Sequence, residues 1–332
     1  MLKTFGALYF SFCFTMFVLT VLLISTALST LACNSGEVYF KISKKSGGTF
    51  ASEEFVDIYN GNTKLYTTPS HANNELRVVE QCLTAAANNQ YTIRLRDTYG
   101  DSWTAGSYAM VEGPYGNVVF KNFLTTSTQE DYPLSLYMPI MKTDSWKMTT
   151  GTVSGDWTQY NFGDSSWTQV TLGSVTTQPT GTQYFRKQFA GLTGMAAYEV
   201  SMKYRYGIVA YINGAEIYRD NMPTGTVSGS TAAIGSYSTT EFHAMIRPGN
   251  EVANAQSVLA VEVHFLTTGQ YTVDFDAYLN TLARSVSEEN NACFIYPYTT
   301  TFTSTSGTSD TYIMDWDKTS SYYTSTYPSY VT

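Results

Sequence analysis

The chain has 332 residues, 43% of them hydrophobic and only 14% charged, with 27 tyrosines and a formal net charge of −8. That length suits about two domains, and an aromatic-rich composition suits pleated sheets. An acidic chain without clustered lysines and arginines is not built to neutralise phosphates, so nucleic acid is excluded as a partner.

Residues 1–32 begin with Lys3, continue as an apolar run and close on small residues near Ala32, with no further charge until Glu37. A basic start, an apolar stretch and small residues read as a secretory signal. The run is also long enough to span a bilayer, so an uncleaved signal-anchor is the alternative. Either way the chain from Cys33 onward is expected outside the cytosol, secreted or at the cell surface. The membrane is then met only through this segment. Cys13 lies inside it, whereas Cys33 and Cys82 flank one block of strands and are expected to pair in an oxidising compartment. Cys293 is left over.

Beyond the leader, helical periodicity is scarce and period-two alternation is common. In residues 33–141 the stretch NQYTIRLRD sets Tyr91, Ile93 and Leu95 against Thr92, Arg94 and Arg96. The strand exits into a loop carrying Asp97, Gly100, Asp101 and Trp103. This loop, with SEEFVDIYNG and Cys82, resembles the Asp-Ser-Tyr-Gly-Asp-Gly-Trp repeat of extracellular β-domains, with Ser102 in place of the second glycine. Asp97 and Asp101 are the candidate ligands for a Ca²⁺ ion, which takes six to eight oxygens. The competing reading is a turn in which aspartate caps the backbone. His71 sits in a polar loop and reads as solvated, and His243 reads as packed beside its strand.

In residues 142–282, YEVSMKYRYG puts Tyr198, Val200, Met202, Tyr204 and Tyr206 on one face. VLAVEVHF likewise opposes Leu259, Val261, Val263 and Phe265 to Val258, Ala260, Glu262 and His264. Asn213-Gly214 between two alternating runs predicts a type I′ hairpin, and Pro223 should end the returning strand. Strands with one apolar and one mixed face predict antiparallel sheets packed on one side. The fold class expected is therefore all-β: two antiparallel, jelly-roll-like β-sandwich domains in tandem after the N-terminal apolar segment.

The combination of YFRKQFA, YGIVAYINGAEIYRDNMPTG and SVLAVEVHF with a YTVDFDAYL strand resembles a galactose-binding-like jelly roll, akin to the accessory β-domains of some glycoside hydrolases. SGDWTQYNFGDSSWTQV, with Trp157 and Trp167, fits its entry. The resemblance covers about residues 144–282. It implies a non-catalytic domain, many of whose relatives bind glycans or pack against an enzyme. Its polar positions here are Arg186, Asn213, Glu216, Arg219, Asn221, Glu262 and His264. A pyranose offers an apolar face and a rim of hydroxyls. Trp157 is therefore the candidate platform, with Arg186, Asn213, Arg219, Asn221, Glu262 and His264 as candidate polar partners. The structural alternative pairs Arg186 with Glu262 across strands and leaves Asn221 to cap a turn.

Residues 283–295 are polar and read as a linker. Residues 296–332 read as an incomplete domain start, resembling the opening of a discoidin-type domain, or as a Thr/Ser-rich tail. The sequence contains no His-Glu-x-x-His, Cys-x-x-Cys, Gly-x-Ser-x-Gly or P-loop. The expectation is a non-catalytic extracellular binding or adhesion protein whose partners are glycans or cell-surface glycoconjugates. No cofactor is certain, and Ca²⁺ is the one candidate. An accessory region of a larger secreted hydrolase and a structural surface spacer are the alternatives.

Overall fold

The computed structural model describes residues 31–125, 128–173, 181–191, 193–236, 242–266 and 274–283, together with the backbone of 298–303 and 309–314. The expected signal or anchor, nearly all of the expected linker, Cys293 and most of the discoidin-like stretch lie outside the described residues. The described chain is all-β, with three short 3-10 turns and no α-helix. Among the described residues no helix is long and apolar enough to cross a membrane.

The first eight strands are β1 (Glu37–Lys45), β2 (Glu54–Asn60), β3 (Thr63–Thr67), β4 (Leu76–Thr84), β5 (Gln90–Asp97), β6 (Tyr108–Glu112), β7 (Val118–Asn122) and β8 (Gln129–Ser135). They form two antiparallel four-stranded sheets, ordered β4-β1-β6-β7 and β3-β2-β5-β8. The pleat sends alternate side chains inward. Phe40, Ile42, Ala109 and Val111 from one sheet therefore share a core with Val56, Ile58, Ile93 and Leu95 from the other. Cys33, just ahead of β1, bonds Cys82 on β4, with 5.6 Å between Cα atoms.

Lys44 and Glu54 are both 1% exposed. Such ions persist only when paired and fully hydrogen-bonded. Lys44 Nζ lies 2.5 Å from Glu54 Oε2, donates to the Lys45 carbonyl at 2.8 Å, and sits 4.0 Å from the centre of the Trp103 ring. Glu54 Oε1 accepts from Thr104 N at 2.9 Å and Ser107 Oγ at 2.6 Å. The ion pair thus fastens the loop that follows β5 to the core.

The next nine strands are β9 (Ser145–Thr150), β10 (Thr168–Thr171), β11 (Gln183–Ala190), β12 (Ala197–Lys203), β13 (Gly207–Ile212), β14 (Ala215–Asp220), β15 (Phe242–Pro248), β16 (Gln256–His264) and β17 (Asp276–Leu282). A six-stranded sheet, β10-β9-β11-β16-β13-β14, packs on a three-stranded sheet, β15-β12-β17. Tyr198, Val200 and Met202 of the small sheet meet Ile208, Leu259 and Val261 of the large one. The predicted hairpin is present: Asn213 and Gly214 take φ of 49° and 89°, the two left-handed positions a type I′ turn requires. A Cβ on Gly214 would also fall 2.0 Å from the Gln159 amide nitrogen, so a larger residue there would have to move the end of that side chain as well as strain the turn. A separate hairpin pairs β18 (Tyr298–Thr303) with β19 (Ser309–Met314).

Two sequence expectations fail on burial. The large sheet is not packed on one side only. Val258, Ala260, Glu262 and His264, on the face opposite the core, are as buried as Leu259 and Val261. A second apolar cluster around Tyr206, Val209, Met222 and Ala233 covers that face. Tyr206 lies just past the end of β12 and joins this second cluster, so the alternation of Tyr198–Tyr204 does not carry through to it. His71 is not solvated but 5% exposed, enclosed with Tyr66, Lys44 and Arg77. The loop folds back over β1 and β4, and neither local polarity nor periodicity signals that return.

Candidate functional site

Residues 151–167 and 221–235 run without regular strand and cover the outer face of the six-stranded sheet. Arg186 on β11 holds the first cover down. Its Nε lies 2.9 Å from Asp164 Oδ2, and its guanidinium donates to the carbonyls of Trp157 and, at 3.0 Å, Gln159. The cross-strand pair with Glu262 does not form, because the β11–β16 register sets Tyr184, not Arg186, opposite Glu262. A fully buried guanidinium has five donors to satisfy, and a loop of main-chain carbonyls serves it better than one carboxylate.

Trp157 therefore rests on the sheet, not above it. Its ring stands edge-on to Tyr184 at 5.0 Å and to Tyr211 at 5.7 Å, and Trp167 lies 6.3 Å away. Half-buried Tyr211 donates to Glu262 Oε1 at 2.8 Å. Glu262 Oε2 in turn lies 3.4 Å from His264 Nε2. His264 Nδ1 is 2.8 Å from the Thr231 carbonyl, an acceptor only, so this nitrogen carries the hydrogen. Burial, followed by the neighbouring Glu262, pushes the Tyr184 phenol up to about 12 and raises that of Tyr211 further.

Arg219 on β14 makes a two-pronged pair with Glu216, at 2.8 and 2.7 Å, and donates to the carbonyls of Pro223 and Gly225. Asn221 takes φ 55° and donates to the Tyr206 and Gly235 carbonyls, fixing the start of the second cover as the turn-capping alternative predicted. Asn213 is spent on tying the hairpin to β16 and the turn before it. Its amide donates to the Glu251 carbonyl and Ser257 Oγ and accepts from Val258 N. The fold thus gathers Trp157, Glu262 and His264 on one face, with Arg219 at its edge. Asn213 and Asn221 sit at the two ends of β14, and Arg186 lies beneath the first cover. Tyr184, Tyr211 and Gln159 were missed by sequence reasoning. Tyr211 was findable, since it alternates with the core residues Ala210 and Ile212.

A second cluster lies at one end of the first sandwich. Carboxylate oxygens of Glu53, Asp97 and Asp101 all fall within 4.8 Å of one another. Asp97 Oδ1 accepts from Tyr99 N at 2.8 Å and Gly100 N at 2.5 Å, the aspartate-capped turn foreseen as the competing reading. Desolvation, then repulsion from Asp97 and Asp101, raises the Glu53 carboxyl above its ordinary value. Glu53 was missed because it arrives from the 3-10 turn Ala51–Glu53 just ahead of β2, the strand paired with β5. Ser102 adopts φ 75°, so the glycine-type turn survives with a serine in it.

No protein-family model matches the chain, and no curated protein matches it. Among solved structures, it is similar to a β-glycosidase from Bacteroides vulgatus at 12% identity and TM-score 0.29, over 43% of this chain and 20% of that one. A β-glucuronidase from glycoside hydrolase family 2 gives 13% identity and TM-score 0.30, over 41% and 17%. A lectin from Pleurotus ostreatus in complex with GalNAc gives 15% identity and TM-score 0.26, over 78% and 74%. The match spans about a fifth of the two glycosidases' length. With TM-scores below 0.5, none of these likenesses bears on mechanism.

Proposed function

We propose that this chain is an extracellular, non-catalytic carbohydrate-binding or adhesion module, with residues 33–141 and 142–282 as its two working units. The observation that carries the reading is the edge of the covered face. Two half-buried aromatic rings, Trp157 and Tyr211, adjoin a buried carboxylate, Glu262, and the outward Glu216–Arg219 pair. Apolar ring edges beside planar polar groups match the two surfaces of a pyranose. Because the cover is pinned by Arg186, such a site would be preorganised and lose little conformational entropy on binding.

The test is a glycan-array screen of the full secreted chain, with Tyr211→Phe, Arg219→Lys and Trp157→Ala alongside and folding checked by near-UV circular dichroism. Specific binding that weakens about tenfold or more in a folded Arg219→Lys variant supports the reading. A folded protein that binds no glycan overturns it. A catalytic domain encoded beyond Thr332 would move the reading to an accessory region of a hydrolase.

Ca²⁺ belongs to the same proposal at the Glu53–Asp97–Asp101 trio, where carbonyls or water would have to complete six to eight oxygens. An unchanged melting temperature in EGTA removes it.

A further inference from the structure

The two sandwiches meet across a junction that sequence reasoning did not foresee. The turn between β6 and β7, residues 113–117, reaches the outer face of the small sheet of the second sandwich. There Tyr115 packs on Tyr278 of β17 with ring centres 5.1 Å apart. Its hydroxyl accepts from Lys142 N at 3.2 Å, and the Lys142 ammonium sits 3.9 Å from the Phe242 ring centre. Ser135 Oγ, at the end of β8, lies 2.6 Å from Thr281 Oγ1, and Thr281 N donates to the Tyr137 carbonyl. Ile140 and Leu279 form an isolated antiparallel bridge.

Inside this junction two amides are unexplained. Asn117, from the first sandwich, is 7% exposed, and Asn280, from β17, is 1% exposed. Neither the nitrogen nor the oxygen of either side chain has a hydrogen-bond partner among the described residues. Both line the same cavity, with Ser135 and Tyr137. The Asn117 amide is tucked so tightly against its own turn that a Cβ at Gly113 would fall 2.6 Å from its oxygen. Buried amides without partners carry a full desolvation penalty, and native folds satisfy them. The cavity gives the centre of a water molecule about 10 Å³. That is close to the least volume that holds one water and far too little for a sugar or an organic ligand.

We infer that Asn117 and Asn280 hold one ordered water molecule between them, and that this water is a structural joint between the two sandwiches. Water fits because each amide offers both a donor and an acceptor, and a single water bridges such groups with little strain. A metal ion would take the two amide oxygens and leave both amide nitrogens buried without an acceptor. The joint, with the ring-enclosed Lys142, fixes the angle at which the two units stand.

The direct test is a crystal structure of the full secreted chain at about 1.5 Å resolution. One density peak within hydrogen-bond distance of both Asn117 and Asn280 is expected. An empty cavity, or two amides bonded directly to each other, overturns the inference.

A solution test uses Asn117→Leu, Asn280→Leu and the double variant, each checked for a native near-UV spectrum. Each single change strands the other amide and should lower the melting temperature by about 3–6 °C, while the double change, with no polar group left to satisfy, should recover most of that loss. Additive losses overturn the joint. If the single variants fail to fold, the density in the unmodified protein decides alone.

Discussion

The two sandwiches bury polarity in opposite places. In the first, the buried lysine lies between the sheets, where they meet the connecting loops: Lys44 and Glu54 are enclosed against Trp103 and bonded to the loop after β5, and the one further fully buried carboxylate on β2, Asp57, pairs on the outer face with Arg96 and Thr67. In the second, the space between the sheets is apolar around Phe185, Ile208 and Val261, and the buried cation and its polar neighbours lie on the far side of the large sheet. There Arg186, Glu262 and His264 sit beneath two irregular covers. A buried ion pair is weak evidence for net stability, but losing one partner is costly because the other charge stays buried. The first sandwich uses its pair to anchor one loop, whereas the second uses its polar layer to attach a second storey.

Removing Glu54 should break this contrast most sharply. Glu54→Ala leaves a buried ammonium without its partner and two donors, Thr104 N and Ser107 Oγ, without an acceptor. The expected loss is about 3–5 kcal/mol, read by urea denaturation. If the contrast holds, the Trp157–Tyr211 layer keeps its near-UV signal while the first sandwich unfolds. Loss of both together would mean the junction makes them one cooperative unit.

Cys82→Ser tests the same region from the unfolded side. The bond closes a separation of 49 residues, which corresponds to about 4 kcal/mol in the chain-entropy description. A drop much smaller than that would show that the edge strand β4 is held by its pairing with β1 alone.

In the second sandwich the matching change is Tyr211→Phe. It removes the hydroxyl that donates to Glu262 and leaves a buried carboxylate short of one partner, at a cost of about 1–3 kcal/mol. Glycan binding should fall with it if the covered face is the site. An unchanged stability would show that water replaces the phenol, and that the face is more open than its burial indicates.

His71 gives the first sandwich a pH dependence. Burial, then Lys44 and Arg77, lowers its pKa from 6.5, partly opposed by Glu75, with Tyr66 as the remaining titratable neighbour. The unfolded chain therefore binds the proton more readily than the fold. Stability is intact above about pH 6.5 and declines as pH falls from there towards the depressed folded value, by at most about 1.4 kcal/mol per pH unit for this one group. His71→Leu should flatten that decline between pH 7 and 5. An unchanged slope would assign it to other groups.

Much of the scaffold was legible because it is written in local pattern. The alternation around Ile93 fixed which face of β5 is buried, and Asn213-Gly214 fixed a turn whose φ values admit little else. The disulfide followed from two cysteines flanking one block of strands. The covers were not legible. Residues 151–167 and 221–235 have no period, and what holds them is long-range: Arg186 reaching back to Asp164, and His264 and the Phe265 carbonyl reaching back to Thr231 and Ala233. The resemblance marked Arg186, Glu262 and His264 as special but not what they touch. Arg186 was paired with the wrong carboxylate because sequence gives the strand face and not the register. Glu53 escaped for the same reason, since its partners lie at the end of β5 and in the loop that follows it.

The smallest effect concerns how each sandwich makes its strained turns. Among the described non-glycine residues the second takes positive φ only at asparagines, Asn213 and Asn221, where a short polar side chain tolerates the left-handed region, and the first does the same at Asn74, Asn88 and Asn89. At the acidic end of the first sandwich the same region is occupied by Phe50 at φ 55° and Ser102 at φ 75°. Serine there costs about 1 kcal/mol relative to glycine, less whatever extra entropy glycine brings to the unfolded chain. Ser102→Gly should therefore raise the melting temperature by about 2–4 °C and leave the Tyr211 layer untouched. If it destabilises the protein instead, the serine side chain supports the turn beside Asp101. The strained geometry would then be retained for what the Glu53–Asp97–Asp101 cluster does, and repeating the melt with Ca²⁺ and with EGTA would separate a cation site from a purely structural turn.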